Sequence, residues 1–191
     1  MKKNVLAKKI LCGLLAAGVV GVAGSAMAAT TYGIKAGTGD EINGNLICTH
    51  GKIDGVTYGL FAEGSFKKAT PQETSKISLT TENIDINATL VGVSGKQLAS
   101  LIIGDEKTNS VTIKGVTKGI HLDKGSSLIL KGNSVNIIST GTGSNNAAVY
   151  VDNKFNSPKM TELVQANIYG NKINIEAAKV GIQAQGQLGD V

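Results

Sequence analysis

Four times along the chain a single polar residue sits between two apolar, β-branched ones. The copies are Ile84-Asp85-Ile86, Val111-Thr112-Ile113, Val135-Asn136-Ile137 and Ile173-Asn174-Ile175. That two-residue alternation is the mark of a strand with one buried face. In three copies an apolar residue stands five positions earlier, at Leu79, Leu130 and Ile168, across a polar or glycine-containing turn. In three copies a glycine and a β-branched residue follow the unit, as Gly92-Val93, Gly119-Ile120 and Gly181-Ile182. The remaining copy reaches Ala148-Val149 only after Thr140 to Asn146, which reads as a loop inserted at the turn. Further upstream, Thr31-Tyr32-Gly33-Ile34 recurs 26 residues later as Thr57-Tyr58-Gly59-Leu60.

The last members of the four triplets, Ile86, Ile113, Ile137 and Ile175, are separated by 27, 24 and 38 residues. Repeats of that length, built from short strands with glycine corners, predict a parallel β-helix, or β-solenoid, with short irregular rungs and loop insertions. A three-residue strand has too little apolar surface to hold itself in place. Stacked at the strand spacing of about 4.8 Å, copies pair their backbones and pool their apolar faces. The expected inward columns are Ile84, Val111, Val135, Ile173 and Ile86, Ile113, Ile137, Ile175. Asp85, Thr112, Asn136 and Asn174 form the outward column, with one charge among them, so stacking brings little repulsion. Glycine at the corners is expected to supply positive φ. An antiparallel sandwich or barrel is the competing all-β architecture. Helix-like spacing occurs at Leu98, Leu101, Ile102 and again at Met160, Leu163, Val164 after Ser157-Pro158. The second segment, with a cap residue and a proline at its start, is where a short loop helix is expected, and neither segment changes the fold class.

Residues 1–28 read as a cleavable signal peptide. Lys2, Lys3, Lys8 and Lys9 precede an uncharged stretch from Ile10 to Ala23, and Ala26-Met27-Ala28 supplies a small-x-small cleavage site. The stretch falls short of the roughly 20 apolar residues of a membrane span. Cys12 lies inside it, away from the cleavage site. Residues 29–191 form the expected solenoid segment, exported to the cell surface, outer membrane or medium, and expected to be incomplete at its C-terminus.

This leader alters the electrostatics. The chain has 19 lysines, no arginine and 14 acids. The leader carries four of the lysines and none of the acids, which leaves 15 against 14. The basic excess therefore says nothing about nucleic acid. Aromatics make up 4% of the chain, which leaves base stacking poorly supplied. Guanidinium groups, the usual readers of guanine, are missing.

No local motif announces an active site, and no catalytic, cofactor-binding or metal-binding residue is assigned. Cys48 and His50 provide at most two ligands at unhelpful spacing, so neither a metal nor another cofactor is expected. His121 alternates with Ile120 and Leu122 and is expected beside solvent. A serine or cysteine triad needs a histidine in reach of both nucleophile and acid, and G-x-S-x-G and H-E-x-x-H are absent. A glycan hydrolase needs two carboxylates about 5 to 9.5 Å apart. Asp85 has no acidic neighbour in its column; Asp40-Glu41 and Asp105-Glu106 read as solvated turn acids, and Asp123-Lys124-Gly125 as a turn. Asn87-Ala88-Thr89 is a chance sequon in a chain with a bacterial-style leader. The Thr140–Asn146 loop is a place where binding could sit, without individual residues to single out.

Rungs such as Leu130-Lys131-Gly132-Asn133-Ser134-Val135-Asn136-Ile137, behind an export signal, resemble the start of a bacterial autotransporter passenger domain. The resemblance covers nearly all of residues 29–191 and is compositional. It implies a right-handed parallel β-helix displayed at the cell surface, often as an adhesin, and a translocator β-barrel that this chain lacks. The function expected is noncatalytic: adhesion, or contact with a host or matrix glycan or protein, through an extended surface, with no nucleic acid as partner. A solenoid polysaccharide lyase or hydrolase, and a structural stalk presenting a separate functional domain, are the alternatives.

Overall fold

A computed structural model describes residues 30–44, 51–66, 73–154 and 163–186. The expected signal peptide at 1–28, Cys48, His50, Ser157, Pro158 and Met160 lie outside those residues. The described residues are all-β, without helix, and nearly all of their strand pairing is parallel. Ser65 and Glu73 form an isolated antiparallel bridge.

Fourteen strands are described: β1 (Tyr32–Ala36), β2 (Glu41–Gly44), β3 (Lys52–Glu63), β4 (Lys76–Leu79), β5 (Asn83–Lys96), β6 (Ser100–Ile103), β7 (Ser110–Gly115), β8 (Lys118–Asp123), β9 (Ser127–Lys131), β10 (Ser134–Ser139), β11 (Ala147–Asn153), β12 (Gln165–Tyr169), β13 (Lys172–Ala177) and β14 (Val180–Gly186). They form three parallel ladders. One is the five-stranded sheet β12-β9-β6-β4-β2. The second runs from the first half of β3 through the first half of β5 to β7, β10 and β13. The third runs from β1 through the second halves of β3 and β5 to β8, β11 and β14. Because β3 and β5 pass through both, the second and third ladders belong to one nine-stranded sheet.

The triplets stack as their pattern requires. Ile84 pairs with Val111, Val111 with Val135 and Val135 with Ile173; Ile86, Ile113, Ile137 and Ile175 follow two residues on. Asp85, Thr112, Asn136 and Asn174 form the outward column between them. The inward triplet residues of β5, β7 and β10 are 0–1% exposed. Each fully buried isoleucine, leucine or valine contributes about 1.5–3 kcal/mol. Ile173 departs from expectation at 45% exposure, and Ile175 is half-buried. Their strand, β13, has a neighbour on one side only among the described residues. The upstream echo is also a stacking repeat: Tyr32 pairs with Tyr58 and Ile34 with Leu60. Its hydroxyls clasp, since Thr31 N donates to Thr57 Oγ1 at 3.0 Å and Thr57 N to Thr31 Oγ1 at 2.9 Å.

Two expectations need correction. Leu98, Leu101 and Ile102 are not helical. Gln97 and Leu98 take φ of 49° and 67° in a tight turn, after which β6 begins. Leu101 then faces the core at 1% exposure while Ile102 faces out at 39%. Leu163 and Val164 are likewise not in a helix.

The second correction concerns the repeating glycines, whose φ is not positive. Flanking register stacks Gly33, Gly59, Gly92, Gly119, Ala148 and Gly181 in one column. What they provide is room. A Cβ on Gly92 would lie 2.6 Å from Ile113 Cγ2, and one on Gly119 would lie 2.8 Å from Ile137 Cγ2. The isoleucine column of the second ladder thus packs directly against glycine backbone at the bend into the third.

Turn hydroxyls close the ends of strands. Thr108 Oγ1 donates to Thr81 O at 2.8 Å, Thr117 Oγ1 to Leu90 O at 2.9 Å and Ser126 Oγ to Gly95 O at 3.0 Å. Ser139 Oγ lies 3.2 Å and 3.1 Å from the carbonyls of Val116 and Thr117. Each ties a turn to a carbonyl on the neighbouring repeat, which answers the need to satisfy buried backbone acceptors.

Candidate functional site

Two outward surfaces gather chemically distinctive residues. One is an open groove of about 1050 Å³ on the outer face of the five-stranded sheet. Its floor follows from alternation: Leu101 and Leu128 face inward, so Ile102 and Ile129 stack outward into it, with Asn167 next in that column outside the lining. Ile102 and Ile129 are 39% and 37% exposed, and Tyr169, in register with Lys131, is 53% exposed.

One wall of the groove is an insertion. In three repeats four residues separate the last inward apolar position from the next triplet, but seven separate Ile103 from Val111. The extra residues form a rigid turn. Asp105 Oδ1 accepts from Lys107 N at 2.8 Å, and Thr108 N donates to Asp105 O at 3.1 Å. Gly104 enters this turn at φ +74°, where a Cβ would run into the Lys131 carbonyl. Glu106 reaches across to Lys131 Nζ at 2.7 Å, and that contact holds its carboxyl below the ordinary value while raising the lysine. Lys131 Nζ also lies 5.9 Å from the centre of the Tyr169 ring.

The other wall is a column of amides. Asn109, Asn133 and Asn171 each precede a triplet by two positions, and Glu82 occupies the same place before the first. Asn171 Nδ2 donates to Asn133 Oδ1 at 2.7 Å, and Asn109 Nδ2 to Glu82 Oε1 at 2.9 Å.

The second surface is the outer face of the third ladder. Three of the chain's four tyrosines lie there. Tyr32 and Tyr58 stack with ring centres 5.5 Å apart, and Phe61 packs edge-on to both at 5.1 and 5.3 Å. Further along, His121 meets Tyr150 edge-on at 5.2 Å. Lysines overlie the rings: Lys35 on Tyr32, Lys96 on Phe61 and Lys118 on Tyr150, at 4.8, 5.5 and 4.8 Å. His121 is therefore not beside open solvent but half-buried. Burial first, then Lys118 and Lys96, push its pKa down to about 4, against a smaller opposing pull from Asp152. The imidazole is neutral at pH 7.

Ser94 stands in register with His121. This is not a nucleophilic pair: Ser94 is wholly buried and its Oγ has no hydrogen-bond partner. A nucleophile must be reachable and bonded to its base. Asp123 and Asp152 are also in register on this face. Burial raises the Asp123 pKa above its ordinary value, Lys96 and Lys124 pull it back, and its Oδ1 is buried without a partner.

The other acids singled out in the sequence are dispersed among the described residues. Asp85 lies between Lys52 and Thr112. Asp40 caps its own turn by accepting from Gly37 N at 3.0 Å, and Glu41 pairs with Lys76 at 3.5 Å. Asn87 is engaged with Asp54, its Nδ2 donating at 2.8 Å. The Thr140–Asn146 loop is largely exposed and closes on itself through Asn146 N to Gly143 O at 3.0 Å. Sequence reasoning missed the groove, the aromatic strip and the Asp123–Asp152 pairing. The amide column had a visible signal, since its members hold a fixed offset from each triplet.

No protein-family model matches this chain, and neither a curated protein nor a solved structure matches it.

Proposed function

We propose that the chain is an exported β-solenoid, displayed at the cell surface like an autotransporter passenger, that works without catalysis by binding through its outer faces. The three parallel ladders, in which residues 24 to 38 apart share columns, support the solenoid reading. The groove over β6, β9 and β12 carries the functional reading. It exposes two isoleucines and a tyrosine on a rigid sheet, where a monomeric soluble domain gains nothing from leaving them uncovered. The occupant is a host or matrix molecule.

The test is adhesion. The full chain, processed by an export host, should bind cells or extracellular matrix saturably. Tyr169→Ala should weaken that binding about tenfold, roughly 1.4 kcal/mol, with an unchanged melting temperature. Equal binding by the parent and the variant would remove the groove from the account.

A second reading is supported by one observation. Asp123 and Asp152 lie on adjacent strands, which are about 4.8 Å apart, near the lower bound of carboxylate separation in glycan hydrolases. A glycan-cleaving enzyme would release reducing ends from polysaccharide and lose that activity with Asp152→Asn.

A further inference from the structure

We infer that the groove over β6, β9 and β12 is a subsite for an uncharged oligosaccharide, lying across the strands with about one sugar ring per strand. The inference rests on the binding function proposed above and names its ligand class.

Charge selects the class. Asp105 is consumed by its own turn through Lys107 N, Glu106 and Lys131 neutralise one another, and Glu82 takes the Asn109 amide. The charges lining the groove itself are Asp105, Glu106 and Lys131, a net of one negative, and Glu106 already holds the cation, so a uronate, sulfated or phosphorylated chain would have to break that ion pair to gain one. A polyol gains without that loss. Asn109, Asn133 and Asn171 present amides, which donate and accept as sugar hydroxyls do.

Shape points the same way. A pyranose has apolar C–H faces and a hydroxyl rim. The groove has a narrow apolar strip, Ile102, Ile129 and the Tyr169 ring, beside a row of amides. The amides, and Ile102 beside Ile129, repeat at the strand spacing of about 4.8 Å, close to the length of one sugar residue in an extended chain, while Tyr169 stands two residues further along β12, in register with Lys131. At about 1050 Å³ the groove exceeds what a monosaccharide needs and matches a short oligomer. The Glu106–Lys131 bridge closes one side and fixes the lysine near Tyr169, which leaves the ring held for stacking.

The experiment is calorimetric titration of the full, export-processed chain with maltohexaose, cellohexaose and chitohexaose, against hexagalacturonate as the charged control. At least one neutral hexamer should bind with a Kd of about 1 mM or tighter, unchanged within about twofold between low and high salt. Tyr169→Ala and Asn133→Ala should each weaken it about tenfold, while Tyr169→Phe keeps most of the affinity. Amide signals of Gly104, Lys131 and Gly170 should shift on titration, a readout independent of whether any variant folds. Adhesion without binding of a neutral hexamer would overturn the ligand class and leave the adhesive function standing. Loss of both would overturn both. Preferential, salt-sensitive binding of hexagalacturonate would also overturn it, as would neutral binding that shifts signals away from the groove.

Discussion

Gly119 lies against Ile137 so closely that a Cβ on the glycine would stand 2.8 Å from the isoleucine Cγ2. The glycine is part of the core packing, and the bend between the second and third ladders depends on it. Gly119→Ala should destabilise the fold by about 1–3 kcal/mol through overpacking. Gly181 occupies the same column with its nearest such neighbour, Ile175 Cγ2, at 3.9 Å, and Ala148 shows that alanine fits one member. Gly181→Ala should change stability by no more than about 0.5 kcal/mol. Urea unfolding of the two variants checks the contrast.

Removing an inward side chain should leave a cavity. Ile113 is fully buried between Ile86 and Ile137. Ile113→Ala should cost about 2–5 kcal/mol, while Thr112→Ala, one residue away and facing outward, should cost under about 1 kcal/mol. Chemical denaturation measures both.

His121 makes stability fall in acid. Its pKa is 6.5 ordinarily and about 4 in the fold, so between those values the unfolded chain binds a proton that the native chain refuses. Stability from this site is complete above about pH 6.5 and declines as pH drops toward 4, by a total on the order of 2 kcal/mol. His121→Gln should flatten the profile in that window, as followed by thermal melts from pH 7.5 to 4.

Asp123 acts in the opposite sense. Burial raises its pKa, so the native chain holds the proton more tightly and the site favours folding in acid, an advantage lost as pH rises through the raised value. Asp123→Asn should therefore raise the melting temperature at pH 7. The gain should vanish below about pH 3.8, where the carboxyl is neutral in both states. Melts of both proteins at pH 7 and pH 3 test this.

The ladders were legible where strand pattern repeats locally. The triplets gave the second ladder, and the Thr31/Thr57 echo gave the start of the third. The repeat containing Ile53 was hidden by a bulge: register shifts between Asp54 and Val56, and Gly55 sits at φ +71°. β6 was misread because Leu98, Leu101 and Ile102 fit a helical spacing, whereas two left-handed residues put the first of them in a turn. The surface sites were less legible for a geometric reason. Tyr32, Tyr58 and Phe61 come from two repeats, and Asp123 and Asp152 are 29 residues apart across the Thr140–Asn146 insertion, so no sequence window contains them. The groove wall came from extra residues after Ile103, which removed that repeat's apolar marker from its expected place.

Every face described depends on parallel, in-register stacking of Ile86, Ile113, Ile137 and Ile175. Methyl-labelled NMR of isoleucine tests it directly. The account predicts methyl–methyl cross-peaks linking Ile86 to Ile113, Ile113 to Ile137 and Ile137 to Ile175, with no close Hα–Hα contacts between their strands. Absence of those three links, or strong Hα–Hα cross-peaks of antiparallel pairing between β7 and β10, would contradict it.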